Sequence, residues 1–134
     1  MNNKIKDNSF ILNIEQNVLN DINYRVKNSR VSNDFGNKEW KYGTEETYLK
    51  DLISYWSNHY DWKKQEKEIN KFSHYKIKID NIPIHFMYEK GSGENSKPLI
   101  LTHGWPWTFW DYQKVIGPLA HPEQYGGDVE QSFD

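Results

Sequence analysis

Pro98-Leu-Ile-Leu-Thr-His-Gly-Trp-Pro-Trp-Thr-Phe-Trp-Asp111 is the stretch of this chain that decides its fold. Its first apolar residues have the length and branching of a short buried strand, which we place at Leu99–Thr102. The run stops at His103–Pro106, where glycine widens the permitted backbone angles and proline removes a backbone donor. Thr108 then offers its hydroxyl as an N-cap, and Asp111 favours the first turn of a helix. The stretch therefore predicts a strand, a loop and a helix in that order.

A connection of this kind can leave a backbone N–H unpaired and facing a ligand. In hydrolases with a central parallel sheet, the loop after the third strand supplies one donor of the oxyanion hole. The candidate donor here is the backbone N–H of Trp105. The alternative is an ordinary connection in which the Trp105 ring fills the core. His103 could be taken for a catalytic base, but a histidine in a tight loop is more often a structural hydrogen-bonding group.

This block resembles the oxyanion loop of epoxide hydrolases of the microsomal type, and the similarity runs from about Phe10 to the last residue. The other matching segments are mostly aromatic: Trp40–Thr44, Tyr48-Leu49, Tyr55-Trp56, Tyr60–Trp62, Gln65-Glu66, Ile79–Phe86, and Gly126-Gly127 before Phe133. The resemblance implies that Trp105 donates its backbone N–H to an oxyanion. It also implies that His103, Gly104 and Pro106 form the loop scaffold, with a cis peptide bond before Pro106. One departure is Trp107-Thr108, where many members have Gly-Ser, and it changes the shape expected of the pocket.

The resemblance further implies chemistry whose other groups we do not find in this sequence. Members carry a nucleophilic aspartate in a Gly-x-Asp-x-Gly turn, a histidine that activates water, and lid tyrosines that polarise the epoxide oxygen. Gly127-Asp128 lacks the second glycine, and helix capping accounts for Asp111. We therefore expect an N-terminal segment of an epoxide hydrolase that is inactive alone. Its expected partners are a small-molecule epoxide in the complete enzyme and the missing C-terminal hydrolase portion. The alternative is a non-catalytic protein-interaction module.

The fold implied by the resemblance is α/β, the N-terminal part of an α/β-hydrolase fold. Residues 1–72 form its helical N-terminal region, and residues 73–134 hold the first strands and the oxyanion loop of a partial core. In such a fold a strand after the Gly126-Gly127 loop pairs between the hairpin's return strand and Leu99–Thr102. We expect the sheet to be incomplete in this chain, with Phe133 opening that strand.

Periodicity predicts the remaining elements. Apolar residues recurring every four positions indicate a helix from about Gln16 to Asn28. A second helix is expected after Thr44 as N-cap, with an aromatic face from Tyr48 to Trp62 that we interpret as buried packing surface rather than a ligand platform. Asp61 caps a third helix whose polar residues, Lys63, Lys64, Lys67 and Glu68, are expected to face water. A period of two predicts a hairpin of residues 75–79 and 82–88, turning at Asp80-Asn81, and a last helix from about Thr108 to Leu119.

Composition excludes several classes of function. The net charge of −2 gives no electrostatic footprint for nucleic acid or an anionic membrane. The chain has no cysteine, which excludes a disulfide framework and a thiol nucleophile. The histidines His59, His74, His85 and His121 show no metal-ligand spacing, so neither a metal nor a cofactor is expected. Microsomal members carry a membrane anchor at this end, whereas the first residues here are polar, so we expect a soluble, cytoplasmic protein.

Overall fold

A computed structural model describes residues 8–134, and these residues form two compact units. One unit comprises Asn13–Glu66, and the other comprises residues 8–12 together with Lys67–Asp134. The helices are α1 (Gln16–Lys27), α2 (Glu46–Asn58), α3 (Trp62–Ile69) and α4 (Gln113–Ala120). The strands are β1 (Ser9–Phe10), β2 (His74–Ile79) and β3 (Ile82–Met87), and short 3-10 helices cover Phe109–Tyr112, Pro122–Tyr125 and Val129–Gln131. No helix in residues 8–134 has the length and apolar character needed to cross a bilayer.

The predicted helices are present, but α2 begins differently from the sequence-based expectation. Its N-cap is Glu45, so the prediction that Thr44 caps it is wrong. The free N–H of Glu46 donates instead to the Asp34 carboxylate at 3.0 Å, and the Asp34 N–H donates to the Glu46 carboxylate at 3.3 Å. A side chain from a distant loop therefore satisfies a donor that a local cap was expected to satisfy. Sequence spacing alone does not reveal such a pairing.

The unit Asn13–Glu66 is held together by a buried carboxylate. Glu66 is 7% exposed and accepts from the Ile14 N–H at 2.7 Å, the Trp62 indole at 3.1 Å and the Lys63 ammonium at 2.8 Å. The hydrogen bond from Lys63, followed by that from the Ile14 N–H, lowers the pKa of the Glu66 carboxyl below 4.5. Lys63 also donates to the Ile14 carbonyl at 2.7 Å, so the expectation that it simply faces water is wrong. A buried acid of this kind needs its partners in place, which explains why Lys63 is drawn inward.

The sheet is antiparallel, in the order β1-β2-β3. The hairpin has the predicted two-residue turn, with φ of 50° at Asp80 and 67° at Asn81, and it pairs Ile79 with Ile82. Both residue types tolerate this left-handed conformation. β3 is an edge strand, because none of residues 8–134 pairs with its outer side. Tyr75, together with Ile69 and Ala120, is among the few buried apolar residues of this unit.

The predicted strand Leu99–Thr102 does not form as a strand, although it is flanked by the start of a parallel pairing. Lys97 and Phe133 form an isolated parallel bridge. The Lys97 N–H donates to the Ser132 carbonyl at 3.2 Å, and the Leu99 N–H donates to the Asp134 carbonyl at 3.0 Å. Beyond Leu99 the backbone has no ladder partner among the described residues, and a strand is defined by such partners. Phe133 thus lies where the strand that it was expected to open would begin, and the sheet is incomplete as expected.

Candidate functional site

The loop that connects Leu99–Thr102 to the last helix contains a tight turn at its centre. The Trp107 N–H donates to the Gly104 carbonyl at 2.8 Å, and the Trp105–Pro106 peptide bond is cis, as the resemblance implies. The N–H of Trp105 has no acceptor within the part of the chain that the structure describes. The loop therefore presents an unpaired backbone donor at the position that the sequence singled out.

Both ends of this loop are fastened by the 3-10 helix Phe109–Tyr112. At the start, the Tyr112 hydroxyl donates to the Thr102 carbonyl at 2.6 Å. At the end, Thr108 is the predicted N-cap: its hydroxyl accepts from the Trp110 N–H at 3.2 Å, and its own N–H donates to the Asp111 carboxylate at 2.6 Å. This reciprocal capping box satisfies two donors that a helix end otherwise leaves free. Fastening at both ends limits how far the Trp105 amide can move.

The Trp105 ring does not fill the core. It is 96% exposed, so the alternative of a core-filling tryptophan is wrong for this chain. The neighbouring Trp107 ring is 66% exposed. Two large apolar side chains in water are costly at about 25 cal/mol for each Å² left uncovered. Contacts between these two rings and other apolar groups would therefore stabilise the loop.

The other three scaffold residues contribute unequally. Gly104 provides the carbonyl that closes the turn, but a side chain at this position would meet no atom within 4 Å and its φ is not in the left-handed region. The freedom of glycine is therefore not required by the described residues. His103 is exposed and makes no hydrogen bond with them, so the expected scaffolding bond is not seen. The roles of His103, Gly104 and Pro106 stay predictions.

An apolar groove of about 520 Å³ lies beside the loop. Its walls are β3 on one side and Leu99–His103 on the other, and Phe109, Ile116 and Leu119 contribute to its lining. The groove reaches His103 but does not include Trp105. Its volume is in the range of small-molecule sites. It also lies between the unpaired edge of β3 and the extended segment Leu99–Thr102, which is the position where a further strand of the sheet would pair.

Two titratable residues that line the groove have shifted pKa values. Burial, followed by the nearby Asp134, raises the pKa of the Tyr88 phenol. Burial, followed by the charges of His74 and Lys76, lowers the pKa of His85. We find no nucleophilic elbow in residues 8–134: Asp128 caps a 3-10 helix through the Glu130 N–H, and Asp111 serves the capping box.

Sequence reasoning missed one cluster of the site, the histidines His74 and His85. The rings stack with centroids 5.3 Å apart, and His74 Nδ1 lies 3.1 Å from His85 Nε2. The hairpin register contains the signal that could have found them. A two-residue turn at 80–81 pairs Lys76 with His85 and His74 with Met87, so His74 and His85 are diagonal neighbours on one face. The spacing of metal ligands, the only pattern considered for these histidines, does not detect such a contact.

Comparison with known proteins confirms what the fold and loop indicate. The family model described as epoxide hydrolase N terminus matches residues 8–112. Epoxide hydrolase 1 of Sus scrofa is 38% identical over 120 residues, which is 87% of this chain and 26% of that protein. A putative epoxide hydrolase of Stigmatella aurantiaca is 32% identical over 124 residues, or 92% of this chain and 28% of that protein. The chain thus spans about a quarter of the length of these curated relatives.

Solved structures agree at the level of the fold. The epoxide hydrolase of Aspergillus niger superposes with a TM-score of 0.79 at 22% identity, covering 94% of this chain and 33% of that one. The juvenile hormone epoxide hydrolase of Bombyx mori gives 0.74 at 25% identity, covering 84% of this chain and 27% of that one. The fold is therefore the N-terminal part of an α/β-hydrolase fold. The chain belongs to the epoxide hydrolase family, in the part described as its N terminus.

Proposed function

We propose that this chain is the N-terminal segment of an epoxide hydrolase and that it supplies one oxyanion-hole donor, the backbone N–H of Trp105. The observation that carries the proposal is the unpaired N–H of Trp105 in a loop fastened at both ends. Membership in the family and the names of the relatives support an epoxide as the substrate class. The division of the chain into residues 1–72 and 73–134 stays a prediction.

The reaction implied by the family has two covalent steps. An aspartate carboxylate attacks an epoxide carbon, so a C–O ester bond forms while the ring C–O bond breaks, and the epoxide oxygen takes a proton from a tyrosine. A histidine-activated water then attacks the ester carbonyl carbon, and the acid and the diol separate. During the second step the carbonyl oxygen becomes negatively charged. A pre-oriented donor at this oxygen is worth roughly 3 kcal/mol of transition-state stabilisation.

Because aspartate, histidine and lid tyrosines in these roles are not identified here, the proposal includes inactivity of the isolated chain. Its partner is a C-terminal hydrolase portion that carries them. The test is a chimera in which residues 8–134 replace the matching segment of the putative epoxide hydrolase of Stigmatella aurantiaca. Diol formation from styrene oxide by the chimera, and none by the isolated chain, supports the proposal. Turnover by the isolated chain that a substitution within it abolishes overturns it.

A second candidate, a protein-interaction module, is favoured by one observation. The aromatic face of α2 is not buried within the unit Asn13–Glu66: Tyr48, Tyr55 and Trp56 are each about half exposed. The interpretation as a buried face is therefore wrong for these residues, although a packing surface for another polypeptide remains compatible with them. A groove of about 630 Å³ between α1 and α2 includes Trp56. Cooperative thermal melting of the isolated chain favours the module, and molten behaviour relieved by the C-terminal portion favours the enzyme segment.

A further inference from the structure

The pair His74–His85 has a fixed direction of hydrogen bonding. His74 is 3% exposed, and its Nε2 lies 2.8 Å from the Ile69 carbonyl, which can only accept. His74 Nε2 therefore carries the proton, and in the neutral ring its Nδ1 is the acceptor. His85 Nε2, at 3.1 Å, must then donate to His74 Nδ1. While both rings are neutral, this arrangement satisfies the hydrogen bonds of His74 to Ile69 and to His85.

The two histidines form the surface against which Phe109 packs. The ring centroid of Phe109 lies 4.5 Å from that of His85 and 6.0 Å from that of His74, in edge-on contacts. Phe10 of β1 lies against the same pair, with ring centroids at 5.5 Å and 6.0 Å. Phe109 directly follows Thr108, the cap residue that closes the Trp105 loop. The position of the loop thus depends on a hydrogen-bonded pair of histidines on the neighbouring sheet.

We propose that His85, oriented by His74, is a positioning residue for the Trp105 loop, and that the loop keeps its position while the His85 ring is neutral. The importance of that position rests on the function proposed above. A proton on the remaining nitrogen of His85 would place a charge in a half-buried site beside Phe109. That charge weakens the contact between His85 and Phe109 that holds the loop.

The surroundings of His85 favour its neutral form. Lys76 stands opposite it on β2, and β1 contributes the apolar ring of Phe10. The other titratable groups lining the same groove are Tyr88, Glu89, His103, Tyr112 and Asp134. The pKa of His85 is lowered, foremost by burial, so the folded state resists a proton that the unfolded chain accepts. The displacement of the loop is therefore expected only below the ordinary histidine pKa of about 6.5, because the pKa of His85 in the folded chain lies lower than that.

The test follows the loop itself by NMR, with ¹⁵N-labelled tryptophan and phenylalanine in a His103→Gln background that removes the histidine nearest to Trp105. On titration from about pH 7.5 to about pH 4.5, we expect the Trp105 and Phe109 amide signals to shift with the midpoint of the His85 ring. In His85→Gln, whose amide keeps the donor without titrating, these signals stay at their neutral-pH positions throughout. In His85→Ala they are displaced at every pH. His59→Gln, an exposed control in the other unit, behaves like the parent.

Two results overturn the proposal. The first is a Trp105 amide signal whose pH dependence differs from the titration of the His85 ring, or one whose pH dependence is unchanged in His85→Gln. The other needs no variant: a long-range ¹H–¹⁵N spectrum at neutral pH that finds the proton of His74 on Nδ1. Since these measurements read loop position and not diol formation, an inactive chimera leaves the proposal standing. Conversely, loop signals that do not depend on the titration of His85 would leave the proposed donor role of Trp105 unaffected.

Discussion

The Tyr112 hydroxyl donates to the Thr102 carbonyl at 2.6 Å, which fastens the beginning of the Trp105 loop to the helical turn at its end. Tyr112→Phe removes this bond without removing the ring. We expect the free energy of unfolding to fall by about 0.5–1.5 kcal/mol and the Trp105 amide to exchange faster with solvent. Urea denaturation and hydrogen exchange measure the two effects. Tyr125→Phe is the matched control, since its hydroxyl has no partner in residues 8–134, and an equal loss there would contradict the prediction.

The Trp105 backbone N–H can be tested apart from its side chain. In the chimera, replacing the peptide bond before Trp105 by an ester removes the N–H, and we expect hydrolysis of the alkyl-enzyme to slow by roughly 10²–10³-fold. Trp105→Phe keeps the N–H and changes only an exposed ring, so it should retain most of the rate. Single-turnover kinetics separate this step from ring opening. Equal rates in the ester and parent enzymes would refute the assignment.

The start of α2 offers a test of which residue caps it. Asp34→Ala leaves the Glu46 N–H without its acceptor, and we expect a loss of about 1 kcal/mol in the free energy of unfolding. Thr44→Ala should cost a few tenths of that, because Thr44 is exposed and is not the N-cap. Denaturant titration of both variants decides. A larger loss in Thr44→Ala than in Asp34→Ala would show that Thr44 caps α2, as the sequence predicted.

The lowered pKa of Glu66 predicts that the unit Asn13–Glu66 loses stability in acid. Because its pKa is lower in the folded state than 4.5, its contribution to stability is present above that value and is lost as the pH falls through the folded pKa. We expect Glu66→Gln to be less stable at neutral pH and to lose less stability than the parent on acidification. Unfolding free energies measured across the acid range test this. The exposed Glu94→Gln is the control, and a parallel decline in Glu66→Gln and the parent would disprove it.

Local rules predicted the elements whose partners are close in sequence. The Asp80-Asn81 turn and the Thr108–Asp111 capping box depend on residues at most three positions apart, so composition and spacing suffice for them. Sequence reasoning failed where the partner is distant. Asp34 reaches Glu46 from a loop, and the Lys63 ammonium reaches the carbonyl of Ile14, at separations that no periodicity records.

The same difference between partners that are close in sequence and partners that are distant applies to the candidate site. The loop and the unpaired N–H of Trp105 follow from a glycine, a proline and a cap residue, which lie close together in sequence. The strand predicted at Leu99–Thr102 fails because its ladder depends on neighbours that are not adjacent in sequence. The pairing of His74 with His85 depends on the register of two strands, and it becomes predictable only once the hairpin turn is fixed at two residues.

The open outer side of β3 has a practical consequence for anyone who purifies this polypeptide. A row of unsatisfied backbone groups beside apolar side chains is a template onto which other extended chains can add. Ile84 and Phe86 supply the apolar neighbours, while Pro83, which has no N–H to offer, interrupts the row near the turn. Oligomers should therefore accumulate with rising protein concentration, and a covering polypeptide should suppress them.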